Sequence, residues 1–214
     1  IQSCVILNSK GQIFLRPCTE EDMYWQLNLL LGLGGRNFGY FTYFTKQHNK
    51  SGHEVFLDGA SFINRDGTRS RMYYYMKRIH SEIQRFAPVI TMYMYNGMRV
   101  VLSDDVKANP PEYLENIPGD NFELLSEVHA YSDAFTVSEL KGGDGYMYML
   151  HNSADPFFRT KSTKAAEIKA VFKEGYVAEV YAKGEKVREF DTESQYTASL
   201  YPGEAHFIRI VRKS

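Results

Sequence analysis

Residues 36–47 read RNFGYFTYFTKQ, and this short stretch decides the fold that the sequence predicts. Its centre is a nearly continuous run of aromatic and β-branched side chains, without the alternation of a strand that has one wet face. Such a run is typical of a strand covered on both faces, as in a parallel sheet between layers of helices. We therefore predict a buried strand whose carboxyl end, near Tyr43 and Thr45, opens toward solvent.

A helix is predicted on each side of this strand. Thr19 is a suitable N-cap for the first helix, acidic residues fill its first turn, and Gly34–Gly35 end it. The second helix has the strongest helical periodicity in the chain and is predicted to end at Pro88. Its apolar positions are Met72, Tyr75, Met76, Ile79, Ile83 and Phe86. With a short strand at residues 1–7, the order strand–helix–strand–helix predicts β/α units with parallel strands over residues 1–88.

Beyond residue 88 the pattern changes to short strands separated by turns. The stretch VITMYMYNGMRVVL predicts a hairpin with Asn96-Gly97 as its two-residue turn. Further short runs follow, among them YMYMLHN, AAEIKAVF and AHFIRIVR, and turns such as GGDG, KGE and PGE separate most of them. Many short strands at this spacing favour an antiparallel β-sandwich over residues 89–214.

Composition limits the classes of protein to which the chain can belong. Its 214 residues carry 25 basic and 26 acidic side chains, and this balance argues against nucleic acid as a main partner, because such binding needs a basic surface. No stretch approaches the length of a membrane-spanning helix, so no membrane insertion is expected. Cys4 and Cys18 are too few for a disulfide framework, and either one bridge or two buried thiols is open. Because the chain begins with Ile1 and not Met, we expect it to be processed or part of a longer protein.

Several motifs, taken in their order along the chain, are similar to one enzyme family. The segments IQSCVIL, RPCTEEDMYWQLNLLLGLGGRNFGYFTYFT and FINRDGTRSRMYYYMKRIHSEIQRFAPVI resemble the end of a glycoside hydrolase (β/α)8 barrel of the β-galactosidase-like kind. The segments YMYMLHNS and LYPGEAHFIRI resemble the β-sandwich that often follows such barrels, where an Asn closes the central strand and Pro-Gly-Glu precedes the last one. The resemblance implies an α/β plus all-β fold, with the last two β/α units of a (β/α)8 barrel in 1–88 and an antiparallel β-sandwich in 89–214.

The resemblance also implies a pair of catalytic glutamates, one after the fourth barrel strand and one after the seventh. Residues 1–7 would be the seventh strand, and Asn8 and Ser9 follow it without a carboxylate. Glycosidases need two carboxylates that flank the scissile bond. No catalytic residue is therefore assigned within this chain: either the register is off by one strand, or the usual nucleophile is missing.

Residues near the carboxyl ends of the predicted strands, or in the loop that follows, are the candidates for substrate contact. Gln2, Tyr43 and Thr45 could bind a sugar, the tyrosine by stacking and the other two by hydrogen bonds, with ordinary packing as the alternative. Glu54 and Asp58 lie in the loop after the aromatic strand, where a sugar contact and a solvated loop are both open.

No metal ion or other cofactor is predicted. His48 and His53 lie near those loop carboxylates, but their spacing matches no zinc site. The GLGG stretch follows a helix instead of preceding one, so it is a C-cap and not a phosphate loop. The acidic run at residues 20–22 suits the positive end of a helix dipole better than a catalytic cluster.

Two functional hypotheses follow from these patterns. The first is a C-terminal portion of a glycoside hydrolase-like protein that acts on glycans, inactive by itself. The alternative is a non-catalytic carbohydrate-binding or assembly module. The expected partners are carbohydrate and either the missing N-terminal part of the same protein or a second copy, because two parallel strands alone would leave open sheet edges. A glycan role would suit the periplasm or the cell surface, but the sequence leaves the location open.

Overall fold

Two antiparallel sheets and a helical layer make up most of the described structure. The computed structural model describes residues 6–7, 13–15, 18–45, 55–56, 58–59, 61–108, 122–155 and 164–213. The helices are α1 (Glu20–Gly32), α2 (Arg71–Ile90) and the short α3 (Asp104–Lys107). The strands are β1 (Ile6–Leu7), β2 (Ile13–Leu15), β3 (Val55–Phe56), β4 (Tyr93–Leu102), β5 (Leu125–Ala130), β6 (Ala134–Gly142), β7 (Gly145–Asn152), β8 (Ala166–Phe172), β9 (Tyr176–Ala182), β10 (Glu185–Asp191), β11 (Tyr196–Leu200) and β12 (Ala205–Arg212).

The two larger sheets face each other across an apolar core. One has the strand order β10-β9-β12-β7-β6-β4 and the other β11-β8-β5, and every neighbouring pair is antiparallel. Alternate residues of strands such as β8 and β11 point into this core, as the two-residue period of a strand requires. Tyr148 and Leu150 of β7 belong to the same buried cluster as Ile168 and Ala170 of β8. The segment 125–212 is therefore built as two packed sheets.

The other face of the six-stranded sheet is covered by α1 and α2. Met147 and Met149 of β7 pack with Leu31 of α1 and with Phe86 and Ile90 of α2. Strand β7 is thus buried on both faces, and for this reason its sequence lacks polar alternation. The three layers are the helices, the six-stranded sheet and the three-stranded sheet.

Both long helices begin where the sequence predicts, because their first turns are capped locally. The Thr19 hydroxyl accepts a hydrogen bond from the Asp22 N–H at 3.3 Å, and the Asp22 carboxylate accepts one from the Thr19 N–H at 2.7 Å. This reciprocal pair is a capping box. Ser70 caps α2 in a simpler way, since its hydroxyl accepts from the Met72 N–H at 3.1 Å.

Arg36, the first residue of the aromatic stretch, joins the C-terminal ends of these helices. Its guanidinium donates to the carbonyl oxygens of Gly35 (2.9 Å) and Leu31 (3.4 Å) after α1. It also donates to those of Ile90 (3.2 Å) and Tyr93 (2.7 Å) after α2. The last carbonyls of a helix lack partners within the helix, so one arginine satisfies both ends and fixes them side by side.

The predicted end of a (β/α)8 barrel is wrong, and the fold is mainly β. The sequence predicts parallel strands from residues 1–7 and from the aromatic stretch, but β1 pairs antiparallel with β2 and β3 in a small separate sheet. Among the described residues no strand is followed by a helix and a parallel partner strand, so no β/α barrel unit is present there. The predicted α/β plus all-β class is therefore wrong, and the described fold consists of antiparallel sheets with a layer of helices.

The aromatic stretch itself fails as a strand for a physical reason. Within 36–45 the backbone makes only isolated bridges, one of them between Phe44 and Ile63. Its buried positions Thr42 and Thr45 are three residues apart, so the two-residue period of a strand is absent. The aromatic composition resembles that of a doubly covered strand, but several of its rings stay half exposed.

Two local predictions after this stretch are also wrong. Asn96-Gly97 forms no hairpin turn but lies at a register shift within β4, where the strand continues and Asn96 donates to the buried Glu139 carboxylate at 2.5 Å. Pairing of β4 with β6 along most of its length outweighs the turn preference. Pro88 lies inside α2, which continues to Ile90, since a proline there removes few helix hydrogen bonds. The division of the chain into 1–88 and 89–214 stays a prediction.

Candidate functional site

A cleft of about 310 Å³ opens where the helical layer meets the turns of the six-stranded sheet. Its walls come from α1, α2, the end of β9 with the turn that follows, and the start of β12. This volume falls in the range of small-molecule binding sites. The polar residues that line it are Tyr24, Asn28, Glu82, Lys183, Glu204 and His206.

Helix α1 is held against the turn before β12 by contacts with main-chain atoms. Asn28 Nδ2 donates to the Gly203 carbonyl at 2.9 Å, and Trp25 Nε1 donates to the Ser153 carbonyl at 3.2 Å. Gly203 has a φ of +85°, and a Cβ there would lie 2.6 Å from the carbonyl oxygen of Glu21. Only glycine combines this backbone conformation with so close an approach, so the turn specifies one wall of the cleft.

Asn152, the last residue of β7, holds the same turn from within the sheet. Its side chain is buried and donates to the Leu200 carbonyl at 2.9 Å. Its backbone carbonyl accepts from the Gly203 N–H at 2.9 Å, and its own N–H donates to the Glu204 carbonyl at 3.0 Å. The Asn that closes the central strand and the Pro-Gly-Glu turn are therefore one interlocked unit that places Glu204 at the cleft.

Two carboxylates stand on different walls of the cleft, and their surroundings differ. Glu204 pairs with Lys183 at 2.9 Å, and its other oxygen accepts from the Tyr201 N–H at 3.0 Å. Glu82 on α2 accepts a hydrogen bond from the Tyr24 hydroxyl at 2.8 Å. Among the described residues Glu82 forms no direct ion pair, although its charge acts through space on Lys183 and contributes to the raised pKa of that ammonium.

The protonation states of the cleft follow from burial and from these contacts. Burial raises the pKa of the Tyr24 hydroxyl, and its carboxylate partner raises it further, so the tyrosine stays a neutral donor. The hydrogen bond to Glu204 raises the pKa of Lys183, which keeps that ammonium charged. Burial lowers the pKa of His206, so its ring is neutral at pH 7.

The inner wall of the cleft is apolar and partly aromatic. The ring of Phe86 lies 5.3 Å from that of Tyr181 and 4.9 Å from that of Phe207, measured between centroids. Leu27 and Ile79, each 1% exposed, close the wall on the helical side. A ligand with one apolar face and a polar rim would find complementary surfaces here.

Two of the sequence-predicted site residues lie near the end of the aromatic stretch and not at the cleft. Tyr43 is about half exposed, and its ring contacts those of Phe44 and Phe62 edge-on. Thr45 is buried, and its N–H donates to the Ile63 carbonyl at 2.9 Å. A sugar contact at these residues stays a prediction.

The remaining predicted contact residues are Asp58, Gln2 and Glu54. Asp58 is exposed, and its Oδ1 accepts a hydrogen bond from the Arg65 N–H at 3.0 Å, which fits the solvated-loop alternative. Gln2 and Glu54 lie outside the residues that the structure describes. The structure therefore does not bring these five residues together as one described site.

Metal-ligand groups and membrane-spanning helices are both absent from the described ranges. There, no group of three or more His, Cys, Asp or Glu side chains is placed to hold a metal ion. His48 and His53 lie outside those ranges. No described helix combines the length and the apolar character that crossing a membrane requires.

Sequence reasoning missed the residues of the cleft, although parts of the signal were present. Glu82 occupies an ordinary polar position of α2, and Lys183 and Glu204 belong to the KGE and PGE turns, whose residues were not among the predicted contact residues. The glycines in those turns were the available clue, because a glycine that must adopt a positive φ often marks a close approach. Nothing in the sequence indicated which helix would approach.

Comparisons with known proteins identify no relative: no protein-family model, curated protein or solved structure matches this chain. The similarity to the end of a glycoside hydrolase stays a prediction. Function must therefore be inferred from the residues and their geometry.

Proposed function

We propose that this chain is a non-catalytic, carbohydrate-binding part of a protein that acts on glycans. The observation that carries the proposal is the cleft of about 310 Å³, in which an aromatic and aliphatic wall faces a polar rim. A sugar ring has the matching character, since its C–H face is apolar and its edge carries hydroxyl groups. Binding sites for such molecules combine apolar surface with a few fixed polar atoms.

The polar rim offers both donors and acceptors to hydroxyl groups. Lys183 supplies N–H donors and Glu82 supplies a carboxylate oxygen. Nδ1 of His206 hydrogen-bonds with the Tyr196 hydroxyl at 2.7 Å, which leaves Nε2 of the neutral ring to donate or accept. Phe86 and Tyr181 supply aromatic surface beside them. This mixture suits a hydroxylated ring better than a purely apolar ligand, which would leave those polar atoms unpaired.

The surroundings of Glu204 favour binding over hydrolysis. Glycosidases use two carboxylates in distinct roles, one of them a general acid with a raised pKa. Glu204 is instead paired with Lys183 and hydrogen-bonded to a backbone N–H, so both of its carboxylate oxygens are already engaged. A second carboxylate, Glu82, lies on a different wall of the cleft, and one of its oxygens is engaged by the Tyr24 hydroxyl.

Titration of the chain with neutral monosaccharides and short oligosaccharides, followed by two-dimensional NMR, tests the proposal. We expect saturable shifts of cleft residues with at least one sugar. Ala182→Phe, which places a ring in the cleft, should weaken that binding at least about tenfold, or about 1.4 kcal/mol. Ala165→Phe, a matched change at a similarly half-buried alanine before β8, should leave it unchanged.

Two results would contradict the proposal. The first is the absence of saturable binding across the sugar panel, which would remove carbohydrate as the ligand. The second is rapid hydrolysis of aryl glycosides by the chain alone, because a non-catalytic part should release no aglycone above the buffer rate.

A further inference from the structure

The α2 wall of the cleft carries a carboxylate, Glu82, that forms no direct ion pair among the described residues. Glu82 accepts one hydrogen bond, from the Tyr24 hydroxyl at 2.8 Å. That leaves Oε1 without a hydrogen-bond partner among the described residues. The residue lines the cleft and is only half-buried, so this oxygen can be reached by a ligand.

The neighbouring charges are already matched to each other. Lys183 is attracted by the charge of Glu82 as well, but its direct ion pair, at 2.9 Å, is with Glu204. Arg78, four residues before Glu82, pairs with Glu20 of α1. Arg85, three residues after it, lies 3.5 Å from a carboxylate oxygen at the start of β10. The cleft therefore holds one net negative charge, located on α2.

The remaining titratable groups do not offset this charge. His206 is neutral at pH 7 because burial lowers its pKa, and Tyr24 stays a neutral donor. Tyr24 and Tyr181 also present aromatic rings to the cleft, and aromatic faces attract cations. Carboxylate and aromatic surface together form the kind of environment that recognises a protonated amine.

From this arrangement we infer that the cleft prefers a sugar that carries a protonated amine, such as a hexosamine, to the corresponding neutral sugar. The inference rests on the proposed carbohydrate-binding function and narrows its ligand class. The ammonium group would donate to Glu82 Oε1, while the sugar ring lies against the apolar wall. A charge-assisted hydrogen bond of this kind is stronger than one between neutral groups.

Glucose and glucosamine make the decisive pair of ligands because they differ only in a hydroxyl or an amine at C2. Their dissociation constants are measured by NMR titration or calorimetry at pH 6, where the amine is protonated. We expect glucosamine to bind about tenfold more tightly, which corresponds to about 1.4 kcal/mol. N-acetylglucosamine, in which the amine is a neutral amide, should lose that advantage.

Glu82→Gln tests the residue, because glutamine keeps the size and can still accept from the Tyr24 hydroxyl. In this variant the ratio of the two dissociation constants should fall from about ten to about one. Glu174→Gln, the same charge change at an exposed turn residue, should leave the ratio near ten. Thermal unfolding of both variants checks that they fold.

The outcomes separate this inference from the function on which it rests. Equal binding of glucose and glucosamine by the unmodified chain overturns the inference and leaves the carbohydrate site intact. A preference for glucosamine that persists in Glu82→Gln also overturns it, since the selectivity would then arise elsewhere. Failure of both sugars and of the wider panel overturns the proposed function together with the inference.

Discussion

Replacing Gly184 by alanine tests whether the turn between β9 and β10 rests directly on α2. Gly184 has a φ of +82°, and a Cβ at this position would lie 2.2 Å from the carbonyl oxygen of Glu82. Gly175, in the turn between β8 and β9, has a φ of +92° and no atom within 4 Å of such a Cβ. The two glycines share a backbone conformation and differ in their neighbours, so Gly175→Ala is the matched control.

The expected magnitudes follow from this difference. Alanine in the left-handed region costs roughly 1–2 kcal/mol, and Gly175→Ala should cost only that. In Gly184→Ala the turn must also move about 1 Å away from α2 to reach an ordinary contact distance. That shift should disrupt the hydrogen bond from Arg85 to the Lys183 carbonyl, which is 3.2 Å long in the unmodified chain. It should also loosen the packing of the Phe86 ring on the Tyr181 ring beneath the turn. With roughly 0.5–1.5 kcal/mol for each of these two contacts, the total should be roughly 2–5 kcal/mol.

Urea unfolding measures both variants against the unmodified chain. Fluorescence of Trp25, the single tryptophan, reports on α1, and far-ultraviolet circular dichroism reports on the whole fold. The free energy of unfolding should be roughly 1–3 kcal/mol lower for Gly184→Ala than for Gly175→Ala. Equal losses would refute the reasoning, because they would mean that the turn and α2 are not in contact.

Two further predictions concern buried polar groups of β7. Asn152→Ala leaves the Leu200 carbonyl without its side-chain donor at 2.9 Å and should lower the free energy of unfolding by roughly 1–3 kcal/mol. The shift of the urea midpoint measures this loss. An unchanged midpoint would contradict the interlocked turn. His151 is fully buried with neither ring nitrogen hydrogen-bonded among the described residues, and burial lowers its pKa to about 3 from the ordinary 6.5. The unfolded chain therefore binds a proton at His151 at a higher pH than the folded chain does. Above pH 6.5 His151 is neutral in both states and costs no stability. Below that pH the free energy of unfolding falls by up to about 1.4 kcal/mol per pH unit as the pH drops toward 3. His151→Phe should flatten that slope between pH 6 and pH 4, and an identical slope in the variant would exclude His151 as its source.

Local signals explain the elements that the sequence predicts correctly. Thr19 and the acidic turn after it mark the start of α1, because an N-cap needs only residues within one turn. The segment AEIKAVF becomes β8 despite a composition that also suits a helix, since its alternate residues Ile168 and Ala170 enter the core between the sheets. In both cases the deciding contacts recur at short, regular spacing.

Long-range pairing explains the elements that the sequence predicts wrongly. Asn96-Gly97 is a strong turn signal in isolation, but the pairing of β4 with β6, about forty residues away, fixes an extended strand there. The aromatic stretch at 36–45 has the composition of a doubly buried strand. In the structure its first residue, Arg36, instead hydrogen-bonds to carbonyl oxygens at the ends of both long helices. A composition can indicate burial without specifying the partner that supplies it.

The cleft could not be predicted from the sequence for the same reason, since its walls come from segments that are far apart along the chain. Glu82 belongs to α2, whereas Lys183 and Glu204 belong to turns about a hundred residues later. The cleft exists only while α2 packs against those turns. A ligand that contacts both walls therefore binds the chain with α2 packed in place more tightly than any state in which α2 has separated from the turns. Such a ligand must stabilise the helical layer on the sheet by RT ln(1 + L/Kd), where L is the free ligand concentration, and this couples recognition to folding at this junction.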